Sequence, residues 1–140
     1  VLATLALIWA LALALLVTLG QILTGTEVRE LVDALLKDGL GRPDLAASLA
    51  DNYLLYLIHR SGYWVVLGAH AFWMLRMGPF GQRHVLRARN LVAALLVAQL
   101  ITGLLFAYGA FPTWAQPIHL LMGLGVFLAS WGLFWRTTSR

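Results

Sequence analysis

The sequence predicts an all-α membrane protein: four transmembrane helices bundled as two similar two-helix units, with an outer amphipathic helix. Three observations carry that expectation. The 140 residues are 61% hydrophobic and only 11% charged, with a mean hydropathy of +0.80, whereas soluble domains stay near half apolar. Four apolar stretches each approach the ~20 residues that a bilayer core requires. A short motif on the first stretch returns on the third, and a histidine early in the second returns early in the fourth.

The first span runs from Val1 to about Thr24. The chain opens inside an apolar run with no initiating Met, so it reads as a piece of something longer. Residues 1–24 lack the basic leader and small-residue cleavage site of a signal peptide. An outer loop of about residues 25–51 follows. Within it Val28, Leu31, Val32, Leu35 and Leu36 recur at helical spacing, which predicts an amphipathic helix on the outer face or over the bundle mouth. Thr24 and Glu27 have capping-box spacing, the alternative being a first span that continues unbroken through this segment. Gly39 and Gly41-Arg42-Pro43 end it.

The second span runs from about Tyr53 to Leu75, and Gly78-Pro79-Phe80-Gly81-Gln82-Arg83 forms a short inner turn. The third runs from Leu91 to about Ala110. Residues 111–117 make a tight outer link, with Pro117 suited to a first helical turn. The fourth runs from about Ala115 to Trp135, with Trp114 marking its outer interface and Trp131 and Trp135 its inner one. These spans, residues 1–140, form one domain.

The net charge of +4 is a topological signal rather than a nucleic-acid footprint. All six acids (Glu27, Glu30, Asp33, Asp38, Asp44, Asp51) lie between the first two spans. Arg76, Arg83, Arg87 and Arg89 surround the second connection, and Arg136 and Arg140 end the chain. The positive-inside rule puts the second connection and the C-terminus in the cytoplasm. With no cysteine there is no disulfide, thiolate metal site or cysteine nucleophile.

Gln21-Ile22-Leu23-Thr24-Gly25 on the first span matches Gln99-Leu100-Ile101-Thr102-Gly103 on the third. Each is followed by an outer connection and a helix with an early histidine, His59 with Gly62 and His119 with Gly123. Glycine and threonine are common at membrane helix contacts, so the five matched positions alone leave coincidence open. The histidines behind them favour a duplication. His59 lies eight residues beyond Asp51, roughly 12 Å along a helix, and His119 two residues beyond Pro117, so both fall in the outer half.

Ionisable groups at such depth are expensive and mark function by default. Two imidazoles gripping a haem iron at about 2 Å each stand about 4 Å apart, a gap that facing helices supply. Gly62 and Gly123 would let the porphyrin face approach the backbone. Either histidine alone would be read as hydrogen-bonding a neighbour or a water; the matched pair favours ligation. Arg60 is placed to pair with a haem propionate or to snorkel toward headgroups. His70, eleven residues after His59, falls near the same face. It is a second haem ligand or, since the fourth helix offers no histidine at that depth, a satisfied core residue. His84 reads as solvated. A zinc site without porphyrin is disfavoured, since no cysteine or carboxylate accompanies the pair. Gln21, Gln99, Thr24 and Thr102 read as interhelical hydrogen bonds. Arg29 and Glu30 offer a propionate contact or a surface salt bridge.

These residues resemble haem A synthase, the membrane enzyme that oxidises haem O to haem A for terminal oxidases. The carrying motifs are Gly25-Thr26-Glu27-Val28-Arg29-Glu30 with Val32-Asp33, then Ile58-His59-Arg60-Ser61, then Ala115-Gln116-Pro117-Ile118-His119-Leu120-Leu121. The resemblance covers essentially the whole chain and is to the C-terminal half of an eight-helix protein. It implies that His59 and His119 are axial ligands of an auxiliary haem b. Substrate oxidation, two hydroxylations of a porphyrin methyl with loss of water to leave a formyl group, is associated with the N-terminal half. There a glutamate stands three residues before the His-Arg pair. Here that position is Tyr56, and the family's cysteine pair has no counterpart. The implied partners are the N-terminal half, membrane lipid, an electron donor and, as a candidate, haem O synthase; nucleic acid is not among them. The implied location is the bacterial plasma membrane. A half-size enzyme assembling as a homodimer, a stand-alone b-type electron-transfer subunit, and a haem-free helical scaffold for oxidase assembly are the other readings.

Overall fold

The computed structural model describes residues 2–77 and 82–138, with side chains from residue 4 onward. The expected turn Gly78-Pro79-Phe80-Gly81 and the terminal Arg140 lie outside the described residues. The chain is all-helical, with no strand among those residues. Helix α1 spans Leu2–Lys37, a short 3-10 turn Arg42–Asp44, α2 Leu45–Asn52, α3 Leu54–Met77, α4 Arg83–Tyr108 and α5 Ala115–Thr138.

Three of these, α1, α4 and α5, are long and apolar enough to cross a membrane, which marks this as a membrane protein. Of the four such helices expected, three meet that measure among the described residues. Helix α3 equals α5 at 24 residues but falls short in apolarity. The causes are written in its sequence: His59, Arg60, Ser61, Tyr63 and His70 interrupt the apolar run. Outward-facing Trp9, Leu16, Leu75 and Leu128 are 65–81% exposed, a density of bare apolar surface that water does not tolerate but lipid does.

Helix α1 does not stop at Thr24. It runs 36 residues, about 54 Å at 1.5 Å per residue, so the amphipathic segment is its continuation rather than a separate helix. The capping box does not form, because the Thr24 hydroxyl bonds carbonyls of its own helix. The helix ends in a Schellman motif: Gly39 has φ +91°, Leu40 N–H donates to the Leu35 carbonyl at 3.0 Å, and Gly39 N–H to that of Leu36 at 3.2 Å. Helix α2, in what reads from sequence as loop, buries Leu45 and Leu49 one turn apart. Helix α4 begins eight residues earlier than the apolar run at Leu91, because Arg83–Asn90 contains no helix breaker.

Helix α1 packs on α3 and α5, and α4 packs on α5, whereas α3 and α4 meet lightly. Two apolar cores result. One lies toward the arginine-rich end and gathers Leu11, Ala14, Val66, Trp73, Val92, Val126 and Leu133. The other lies toward the acidic end, where Val28 and Val32 of α1 close on Leu45, Leu49, Tyr56 and Phe111. The polar residues of the internal repeat fall between them.

Candidate functional site

A cavity of about 310 Å³ lies between the cores, lined from α1, α3, α4 and α5. His59 and His119 both line it, their ring centroids 6.5 Å apart and their planes at 71°. Imidazole nitrogens at about 2 Å on either side of one metal put the ring centres roughly 6–6.5 Å apart. The spacing fits.

Glycines let the helices close on these rings. A Cβ at Gly25 of α1 would come within 2.8 Å of His59 Cε1, and one at Gly62 of α3 within 2.6 Å of Gln21 Oε1. Each helix therefore accepts a side chain of the other into a glycine. The second unit repeats the exchange more loosely, with Gly103 facing His119 Cε1 at 3.7 Å and Gly123 facing Gln99 Nε2 at 3.3 Å. Gly62 and Gly123 thus make room for glutamine side chains, and Gly123 also lines the cavity.

Hydrogen bonds follow the same duplication. Thr24 Oγ1 is 3.1 Å from His59 Nδ1, and Thr102 Oγ1 is 2.7 Å from His119 Nδ1. Gln21 donates to the His59 carbonyl at 2.6 Å, while the Gln99 amide nitrogen is 3.1 Å from His119 Nε2. The interhelical bonding expected of these four residues is present, and the imidazoles are at its centre. Gln99 Oε1 is buried in the site with no partner among the described residues, an acceptor with room for a donor.

Phe106 meets the His119 ring edge-on at 5.2 Å and stacks on Phe111 at 5.1 Å. Phe111 follows Ala110 in a link where both have positive φ, 50° and 56°. Arg42 fixes that link by donating to the Phe111 carbonyl at 2.9 Å. On the α3–α4 side two polar contacts bridge the helices. Tyr63 Oη donates to the Leu96 carbonyl at 2.5 Å, and Arg60 Nη2 to Tyr108 Oη at 3.0 Å.

Arg60 is exposed and lines the cavity without a carboxylate partner among the described residues. Arg29 also lines it and lies 3.9 Å from Asp33 in an exposed pair, while Glu30 is exposed and away from the lining. Tyr56, three residues before His59, is buried and lines the cavity. His84 is exposed on the first turn of α4. His70 is fully buried and satisfied on both nitrogens, Nδ1 at 2.9 Å from the Val66 carbonyl and Nε2 at 3.2 Å from Ser130 Oγ. It is the core histidine of the sequence reading. Its partner Ser130 stands eleven residues beyond His119, the offset of His70 from His59.

Among the described residues no group of three or more His, Asp or Glu converges. Two histidines are too few for a closed protein-only metal site. They are the donor number for a metal whose remaining ligands arrive with it, as the four nitrogens of a porphyrin do. Sequence reasoning did not anticipate the aromatic wall of Phe106 and Phe111 or the Tyr63 and Tyr108 bridges, for which only Tyr63, one turn past His59, gave a signal. No protein-family model, curated protein or solved structure matches the chain.

Proposed function

We propose that this chain is a haem b-binding electron-transfer unit of a haem A synthase-type membrane enzyme, with His59 and His119 as axial ligands. In this reading α3 joins α1, α4 and α5 as a fourth span, so that two helical hairpins each contribute one imidazole. The arginine-rich connection and C-terminus lie in the cytoplasm of a bacterial cell, and the acidic end lies outside. The observation that carries the reading is the 6.5 Å ring separation inside a cavity between two apolar cores. Held by His59 and His119, a haem b would supply one-electron chemistry, and two protein ligands would suit it to electron transfer. Oxidation of haem O belongs to a partner half bearing the glutamate that Tyr56 replaces here. Arg60 and Arg29, which both line the cavity, supply positive charge for the propionates.

The test is direct. The purified chain loaded with haem b gives a low-spin bis-imidazole spectrum, and His59→Ala and His119→Ala each abolish it. The steep angle between ring planes makes the ferric EPR signal strongly anisotropic. An unchanged spectrum in both variants refutes the ligand assignment. A stand-alone b-type cytochrome gives the same spectrum. The two readings part on whether a second half with the glutamate-bearing His-Arg motif is required for haem O oxidation.

A further inference from the structure

The geometry points to Thr24 and Thr102 as positioning residues that present the two imidazoles to iron, each through its hydroxyl on the ring Nδ1. The inference rests on the bis-histidine reading above. It follows from counting protons. A threonine hydroxyl carries one. Thr102 Oγ1 lies 3.1 Å from the Ala98 carbonyl and 3.0 Å from that of Gln99, so the proton is donated within its own helix. The same oxygen is 2.7 Å from His119 Nδ1, where it now acts as acceptor for Nδ1–H. A neutral imidazole has one N–H, so Nε2 keeps the lone pair that a metal takes. The Gln99 amide nitrogen, a donor 3.1 Å from Nε2, occupies that lone pair in the haem-free chain and has to swing aside for a metal to take it.

Thr24 repeats the arrangement. Its hydroxyl is 3.1 Å from the carbonyls of both Gly20 and Gln21, and 3.1 Å from His59 Nδ1. Two relays of the same kind, carbonyl to hydroxyl to imidazole, thus flank the cavity at equivalent positions of the repeat. A half-buried ring between apolar cores has little water to replace such a partner. A ligating histidine depends on the acceptor of its other N–H for tautomer, orientation and basicity. The shorter bond gives Thr102 the stronger hold.

The experiment uses the full chain in detergent, loaded with haem b. Thr102→Val keeps the shape and removes the hydroxyl. It is expected to lower haem affinity by about 10–100-fold and to raise the midpoint potential, because an imidazole without its acceptor donates less electron density to iron. Thr24→Val shifts both in the same direction by less, and Thr102→Ser restores both. Histidine ¹⁵N NMR of the haem-free chain reports Nδ1–H for His59 and His119 in the wild type, a signature that packing alone does not set. Valine variants with unchanged affinity and potential, or a wild-type Nε2–H tautomer, overturn the threonine role while the low-spin spectrum stands. A wild type with no bis-imidazole spectrum overturns the haem reading, and this inference with it. If Thr102→Val does not fold, Thr102→Ala and the wild-type tautomer decide the same question.

Discussion

Alanine placed separately at Gly25 and Gly103 separates the two halves of the site. The residues are equivalent in the internal repeat, yet their surroundings differ. A Cβ at Gly25 would lie 2.8 Å from His59 Cε1, and one at Gly103 3.7 Å from His119 Cε1. Carbon atoms settle at about 3.5–4.0 Å, so Gly25→Ala drives the His59 ring back by roughly 0.7 Å or more. Ligand sets tolerate about 0.5 Å of misplacement. The overpacking costs about 1–3 kcal/mol, against a helix-propensity gain of about 1 kcal/mol for replacing glycine. Gly103→Ala collects that gain without the clash. Haem titration followed optically, with thermal unfolding of the haem-free chain in detergent, reads both terms. Gly25→Ala is expected to lose haem affinity by at least about tenfold with its stability unchanged or lowered, and Gly103→Ala to keep the affinity and melt higher. Equal haem affinity in wild type and Gly25→Ala, or greater damage from Gly103→Ala, refutes the reasoning.

Other substitutions test the scaffold. Gly39→Ala puts a Cβ at φ +91° in the cap of α1 and is expected to destabilise by about 1–2 kcal/mol, seen as a lower melting temperature. Ala110→Gly relieves the left-handed backbone at φ 56° and is expected to stabilise by about 1 kcal/mol by the same measurement. Ser130→Ala leaves His70 Nε2 buried and unpaired, at a cost of about 1–3 kcal/mol, with the haem spectrum expected to stay unchanged because His70 lies outside the cavity lining. A changed haem spectrum in that variant would reopen the question of a second haem.

The histidine pair was legible from sequence because the repeat put a marker at two positions: Gln21 to Gly25 matched Gln99 to Gly103, and the histidines followed. The roles within the motif were not. Interhelical hydrogen bonding was the expectation for Thr24 and Thr102, but which atom they reach depends on helix rotation, which a five-residue match does not encode. Gly62 and Gly123 were read as space for a ligand, and the glutamines packed against them were not foreseen, because glycine in a sequence marks room without naming its occupant. The continuity of α1 was one of two open readings; the choice turned on Thr24 bonding backward to Gly20 and Gln21 rather than capping forward. Helix α2 left a faint trace, Leu45 and Leu49 one turn apart, too short a pattern to separate from loop. Length put α3 among the spans, but its apolarity is lowered by residues such as His59, Arg60 and Tyr63 that line the site.

The unbroken run of α1 past Thr24 has a mechanical corollary. Gln21, Thr24 and Gly25 share one rigid rod with Val28 and Val32, which anchor the cap formed by α2 and the Phe111 link. With no joint between them to absorb a displacement, a push on the cap becomes a tilt of the rod. Whatever docks at the acidic end therefore has a lever on the orientation of His59.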